Sequence, residues 1–463
     1  MNLRRLASNT AMCMVLTAFA VWPVLAQEAA PVPPPEATAT SPAAPALPSV
    51  LVLTPAQAAE LAEQRALEIR QAQEGLAQAQ AAVSQARSGK RLSGDISFIE
   101  GRMGPKQQMT FGDQTITLGS DTIRQATLSL VQPLYTGGRV ESQVQAAQAG
   151  LSVAGAQAEI TIRAIRRAAQ EGVYGILRTQ ELAEVAGRQV EANQEHLRIA
   201  RAMFSAGTVA QFEVVQAETR LASAEGNLVA ATTAIGQATA GLRRLMALPQ
   251  TQELQAVPPV EQVMRPAGEL EELIAVAQAA RPEIAALEAQ VRVAEANLRL
   301  AQATNNLTAG LAGQYQHNGA SSGLASSEGS WQVVLSLSKP ILDGGLRAAR
   351  TEGASAALRS SQDALEIQRQ QVALEVTQQY LATNQALKQL QVATQGVVQA
   401  REAARIAQVR FSAGVGTGFE VLDAQTAQAA AEAAQVNAGY DLRLALLRLR
   451  DAMGQPLEGE PTS

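Results

Sequence analysis

The sequence predicts a mixed α and β fold made of two copies of one unit, each with very long helices and a single β-hairpin. Three observations predict it. The first is duplication: QPLYTGG (Gln132–Gly138) returns as KPILDGG (Lys339–Gly345), FSAGTVAQFEV (Phe204–Val214) as FSAGVGTGFEV (Phe411–Val421), and MALP (Met246–Pro249) as MGQP (Met453–Pro456), each 207 residues on. That period is far beyond the roughly 20–50 residues of solenoid repeats, so it marks a duplicated architecture. The second is helical length. The stretches Arg139 to Phe204 and Leu346 to Arg410 contain no proline, and ~65 residues of helix reach on the order of 100 Å. In the second stretch Leu365, Val372, Val376, Tyr380, Leu387, Leu390 and Val397 step by sevens, fours and a three, one apolar stripe in coiled-coil style. The third is alternation. Leu307, Ala309, Leu311, Gly313 and Tyr315, then Trp331, Val333, Leu335 and Leu337, interleave with residues that are small or polar except for Val334, as do Ala126, Leu128 and Leu130 in the first copy.

In chain order, residues 1–26 read as an export signal. Arg4 and Arg5 precede an apolar run, and Val24-Leu25-Ala26 is a small-residue cleavage site. Residues 27–53 are a Pro/Ala-rich leader, expected to be extended and disordered. Thr54-Pro55 opens the first repeat (54–248) as N-cap and first helical residue. Its helix is expected to run to about Lys90. A hairpin over 92–131 follows, closed by Pro133 and Gly137-Gly138. A long helix comes next, then a break at Gly207 and a helix from Gln211 to Ala247. Residues 249–268, with four prolines, link the halves. The second repeat (269–456) has the same order, with a break expected at Arg281-Pro282, a hairpin over 307–338 and a second tip at Gly414; residues 457–463 are a tail. Aligning Glu68-Ile69 with Glu283-Ile284 gives an offset of 215 before the hairpin against 207 after it, so the first hairpin is 8 residues longer.

Composition narrows the function. The net charge is −5, and −7 without Arg4 and Arg5, which argues against nucleic-acid binding. The one cysteine, Cys13, lies in the export signal, which would leave the exported chain without disulfides or thiol chemistry. Alternation over ~9–11 residues is the pattern of a transmembrane β-strand, and equally of a half-buried strand in a soluble sheet. Isolation favours the membrane. One hairpin per repeat is marginal in water, and four strands per chain need other copies to close a barrel, because lipid tolerates no open edge.

These motifs resemble the TolC-type outer-membrane efflux proteins from Thr54 to Pro456. The resemblance rests on the strand-to-helix junctions (Pro133, Gly137, Gly138; Pro340, Gly344, Gly345) and on the Phe-x-x-Gly tips followed by an acid (Phe204, Gly207, Glu213; Phe411, Gly414, Glu420). It implies a homotrimer in which a 12-stranded transmembrane β-barrel continues as an α-helical barrel, or tunnel, across the periplasm. The segment 249–268 would belong to a belt around the tunnel's middle. Such a duct sits in outer-membrane lipid of the Gram-negative envelope. It serves a tripartite pump or type I secretion system, with a periplasmic adaptor and an inner-membrane transporter of RND or ABC type. The resemblance makes Ala206, Gly207, Thr208, Ala413, Gly414 and Val415 adaptor-docking tips. It makes Glu420 and Asp423, with Glu213, an acidic gate that favours cations at the constriction. Gln216 replaces the second acid in the first repeat, and Gly416 stands where the best-known members carry a latching arginine.

An enzyme is a poor fit. His196 and His317 have no nucleophile or carboxylate at a telling spacing, and both are expected to be solvated. The run Gly414 to Gly418 follows a helix and lacks a lysine, so it is no nucleotide loop. No cofactor or metal is expected. The rival class is a soluble periplasmic coiled-coil adaptor or tethering protein, which explains the rods but not the duplicated hairpin.

Overall fold

The computed structural model describes residues 50–102, 104, 107–118, 122–259, 268–318 and 329–457. The expected export signal, most of the leader, the centre of the linker and the tail from residue 458 lie outside them. The elements run β1 (Val50–Leu53), α1 (Pro55–Arg65), α2 (Leu67–Ser88), β2 (Ser93–Arg102), β3 (Gln107–Phe111), β4 (Gln114–Leu118), β5 (Thr122–Tyr135), α3 (Arg139–Ser205), α4 (Gln211–Leu245), β6 (Glu253–Ala256), α5 (Leu270–Ala280), α6 (Pro282–Ala303), β7 (Thr308–Asn318), β8 (Gly329–Ser338), α7 (Leu346–Ser412) and α8 (Gly418–Ala452).

Duplication holds to the residue. The α3–α7 and α4–α8 pairs start and stop 207 residues apart, and the α1–α5 and α2–α6 pairs 215 apart. The long helices have 67 residues each, while α1, α2 and α4 have 11, 22 and 35, together 68. The short helices thus stack end to end along the long one. Thr54 caps α1 with a reciprocal capping box to Gln57. The break at Arg281-Pro282 is present, with Pro282 at the first position of α6. An equivalent break at Ala66 divides the helix expected to be continuous up to Lys90, and no proline marks it.

Helices α2, α3, α6 and α7 lie side by side at the strand end, and α4, α3, α8 and α7 at the far end. This wall has thin cores. Leu273, Ala277, Ile284, Val372, Val376, Leu449, Ala452 and Met453 form one, with Leu365 and Tyr380 against it. Of the expected α7 stripe, Val372, Val376 and Val397 are buried, but Leu387 is exposed.

The sheet has order β2-β5-β7-β8, all antiparallel. Register sorts the alternation into two faces. Ile96, Leu128, Tyr315 and Trp331 stand opposite one another in one row; Asp95, Ser129, Gln314 and Gln332 form the next, on the other face. The first face is apolar and exposed, with Ile96 at 73% and Trp331 at 76%. On the second, the Gln332 amide donates to Gln314 Oε1 at 2.7 Å. Strands β2 and β8 each pair along one side only among the described residues.

Two boundaries differ from expectation. Strand β5 runs through Pro133 to Tyr135, so Pro133 lies within the strand, at an irregularity in its pairing with β7. Proline is tolerated where the ladder is disturbed. The leader's end, Val50–Leu53, is ordered: it pairs in parallel with β6 of the linker. The extra length of the first hairpin carries the small β3–β4 hairpin.

Candidate gate and docking tips

The tips are built alike. Gly207 (φ 73°) and Gly414 (φ 75°) end the long helices in the left-handed conformation that glycine adopts freely. The Thr208 N–H donates to the Met203 carbonyl at 3.0 Å and the Gly207 N–H to the Phe204 carbonyl at 2.9 Å. Val415 to Arg410 and Gly414 to Phe411 repeat the same distances. This pairing satisfies carbonyls a helix end would otherwise orphan. Ala206, Gly207, Thr208, Ala413, Gly414 and Val415 are all exposed.

The acids do not share one environment. Glu420 sits in the first turn of α8, its N–H bonded to the Thr417 hydroxyl at 3.2 Å and its carboxylate 3.9 Å from Arg410. Asp423 is exposed one turn on, and neither acid is buried. Glu213 is partly buried, with its carboxylate against the backbone of Gly418: a Cβ there would lie 2.6 Å from Glu213 Oε2. Gly416 packs against the end of α7, where a Cβ would meet Arg410 and Phe411 at 3.1 Å. An arginine at 416 would require this turn to shift.

At the other end, Gly137 and Gly138 (φ 63° and 86°) and Gly344 and Gly345 (φ 61° and 87°) turn the chain from strand to helix. Asp343 caps α7, accepting from the Arg347 and Gly345 N–H groups at 3.0 and 3.1 Å and from the Asn305 amide at 2.5 Å. These bonds hold its carboxyl below the usual range. Thr136 stands in the equivalent place and bonds Glu141 instead. Pro340 lies between β8 and α7.

His196 is buried, against expectation; His317 is exposed. The His196 ring lies 5.4 Å from that of Phe411, joining α3 of one repeat to α7 of the other. Phe411 is 4% exposed, whereas its equivalent, Phe204, is 45% exposed. Sequence reading also missed a polar seam between α3 and α8. Asp451 takes Arg167 at 2.5 Å, Glu171 takes Arg448 at 2.8 Å, Tyr440 donates to Glu181 at 2.5 Å, and Arg188 reaches Glu432 at 3.0 Å. Arg167, Glu181 and Arg188 recur at multiples of seven along α3, with Glu171 one turn after Arg167, but their partners lie 244 to 284 residues away.

Among the described residues there is no cluster of three or more His, Cys, Asp or Glu side chains able to hold a metal, and no helix long and apolar enough to cross a membrane. The chain is similar to protein CyaE of Bordetella pertussis, 27% identical over 369 residues and 74% of each chain. Two solved outer membrane channels share the fold. CmeC of Campylobacter jejuni aligns at TM-score 0.74 and 15% identity, over 88% of this chain and 86% of its own. The open state of Neisseria gonorrhoeae MtrE aligns at 0.69 and 21%, over 88% and 91%. Residues 58–248 and 273–455, nearly all of both repeats, match the family profile of outer membrane efflux proteins. The duplicated helix-and-hairpin chain therefore belongs to the outer membrane efflux protein family.

Proposed function

We propose that this protein is the outer-membrane exit duct of a tripartite efflux pump or type I secretion system. Three copies would form a 12-stranded barrel and a helical tunnel, passive in itself. A periplasmic adaptor would open it at the Gly207 and Gly414 tips, and an inner-membrane transporter of RND or ABC type would drive transport. The observation that carries this reading is the four-stranded sheet. One face exposes Ile96, Phe98, Leu128, Leu130, Leu311, Tyr315, Trp331, Val333, Leu335 and Leu337 across all four strands, the other is mostly polar, and both edges are unpaired within the described chain. Burying exposed apolar rows at roughly 25 cal/mol per Å² favours lipid over water, and lipid then demands that the edges close. Nothing in a soluble adaptor needs such a face. Fractionation and detergent extraction test the proposal. The protein should be recovered with outer membrane and run as a trimer after mild extraction. A monomer in the soluble periplasmic fraction would overturn it.

A further inference from the structure

Behind the tips lies a cleft of about 380 Å³ between the two repeats. It is lined by Glu195 and His196 of α3, Arg401, Arg405 and Gln408 of α7, and Gln425 of α8. Three buried polar atoms of its lining have no hydrogen-bond partner: His196 Nδ1, Gln408 Oε1 and Gln425 Oε1. His196 is itself 2% exposed, packed on Phe411. On its far side the chain comes close, since a Cβ on Gly418 would lie 3.6 Å from His196 Cε1. The residue 207 positions on is Ala403, which is exposed. The repeats therefore meet within a chain through a histidine, while the equivalent face of the second repeat has none.

We propose that His196 is a proton-operated wedge: protonation at Nδ1 loosens the junction between the repeats and favours the open channel. This rests on the channel reading above. The proton adds to the Nδ1 lone pair and no covalent bond breaks. The resulting imidazolium stands in a packed site, and burial penalises the charged form. The net shift is downward, with burial its cause, among these charged groups. On α3, Glu195 is held by Arg198 at 2.6 Å. From α7, Arg401 and Arg405 bring positive charge, each engaged with a carboxylate, Glu432 and Glu402, at 3.0 and 2.8 Å. From α4, the Glu213 carboxylate comes to the same side: its Oε2 lies 2.6 Å from the position a Cβ on Gly418 would take, which is 3.6 Å from His196 Cε1, so an acid faces the ring there. Helix α8 presents the amides Gln425 and Gln428. The cheapest way to solvate the imidazolium is to let water into the cleft, which parts α3 from α7 and α8. Because burial lowers the affinity for the proton, the closed junction is complete above the ordinary histidine pKa of 6.5 and weakens as pH falls below it.

Planar-bilayer recordings of the full-length protein test this. Between pH 7.5 and 5.5 the wild type should open several-fold more often, up to about tenfold in the opening equilibrium per pH unit for each junction. His196→Gln and His196→Phe should abolish the response; the second keeps a ring against Phe411 if the first assembles poorly. His317→Gln should leave it intact. Acid opening that persists in both His196 variants, or closure on acidification, would overturn the wedge. Absence of any conductance and of any membrane trimer would instead sink the channel reading, and this inference with it.

Discussion

At the end of α4, Ala247 is the only described non-glycine residue with positive φ, at 49°. Its N–H donates to the Arg244 carbonyl and the next residue's to that of Arg243, the turn that Gly454 makes at the end of α8. One chain thus carries the same cap with alanine in one repeat and glycine in the other. The left-handed conformation costs alanine ~1–2 kcal/mol, partly offset by the extra unfolded-state freedom of glycine. Ala247→Gly should therefore stabilise by about 0.5–1 kcal/mol, seen as a higher melting temperature in detergent. Gly454→Ala should do the reverse and more, because its Cβ would meet Ala280 at 3.0 Å.

Among elements, the two strand-to-helix junctions look equivalent in sequence but tolerate change differently. A Cβ on Gly137 would strike Asn306 Cβ at 2.7 Å and the Leu307 carbonyl at 2.8 Å, while one on Gly344 meets nothing within 4 Å. Gly344→Ala should cost only the conformational ~1–2 kcal/mol. Gly137→Ala should cost that plus ~1–3 kcal/mol of overpacking; limited proteolysis near the α3 start would reveal the difference. The seam between α3 and α8 offers a second test. Burial pushes the Glu432 carboxyl up, but hydrogen bonds from Gln428, Arg188 and Arg401 outweigh it, and the net shift is downward. Its contribution is thus present above the ordinary carboxylate value of 4.5 and lost as pH falls below it. Glu432→Gln should destabilise by about 1–3 kcal/mol at neutral pH, and thermal unfolding should show a smaller difference near pH 3.

For the whole molecule, the consequence of the second-repeat acids depends on assembly. If three chains bring Glu420 and Asp423 to one mouth, they focus negative potential there. Glu420→Gln with Asp423→Asn should then reduce cation over anion preference in bilayer recordings, and unchanged selectivity would remove these residues from the constriction. Glu213 differs, since Gly418 covers its carboxylate within the chain; neutralising it should alter selectivity less.

Local patterns determined much by themselves. The 207-residue period, the caps at Thr54 and the tip glycines, and the alternation at Leu307–Tyr315 and Trp331–Leu337 were all legible, because each depends on neighbours within a few residues. Ala66 shows the limit: its break copies Arg281 with no proline to announce it. The tertiary structure alone decided what distant segments do to one another. It buried His196 and Phe411 together, left Phe204 exposed, gave Glu213 a neighbour that Glu420 lacks, and paired the leader's end with the linker. The physical reason is that a repeat specifies its own helices, whereas the side chains between repeats meet across hundreds of residues, where no periodicity connects them.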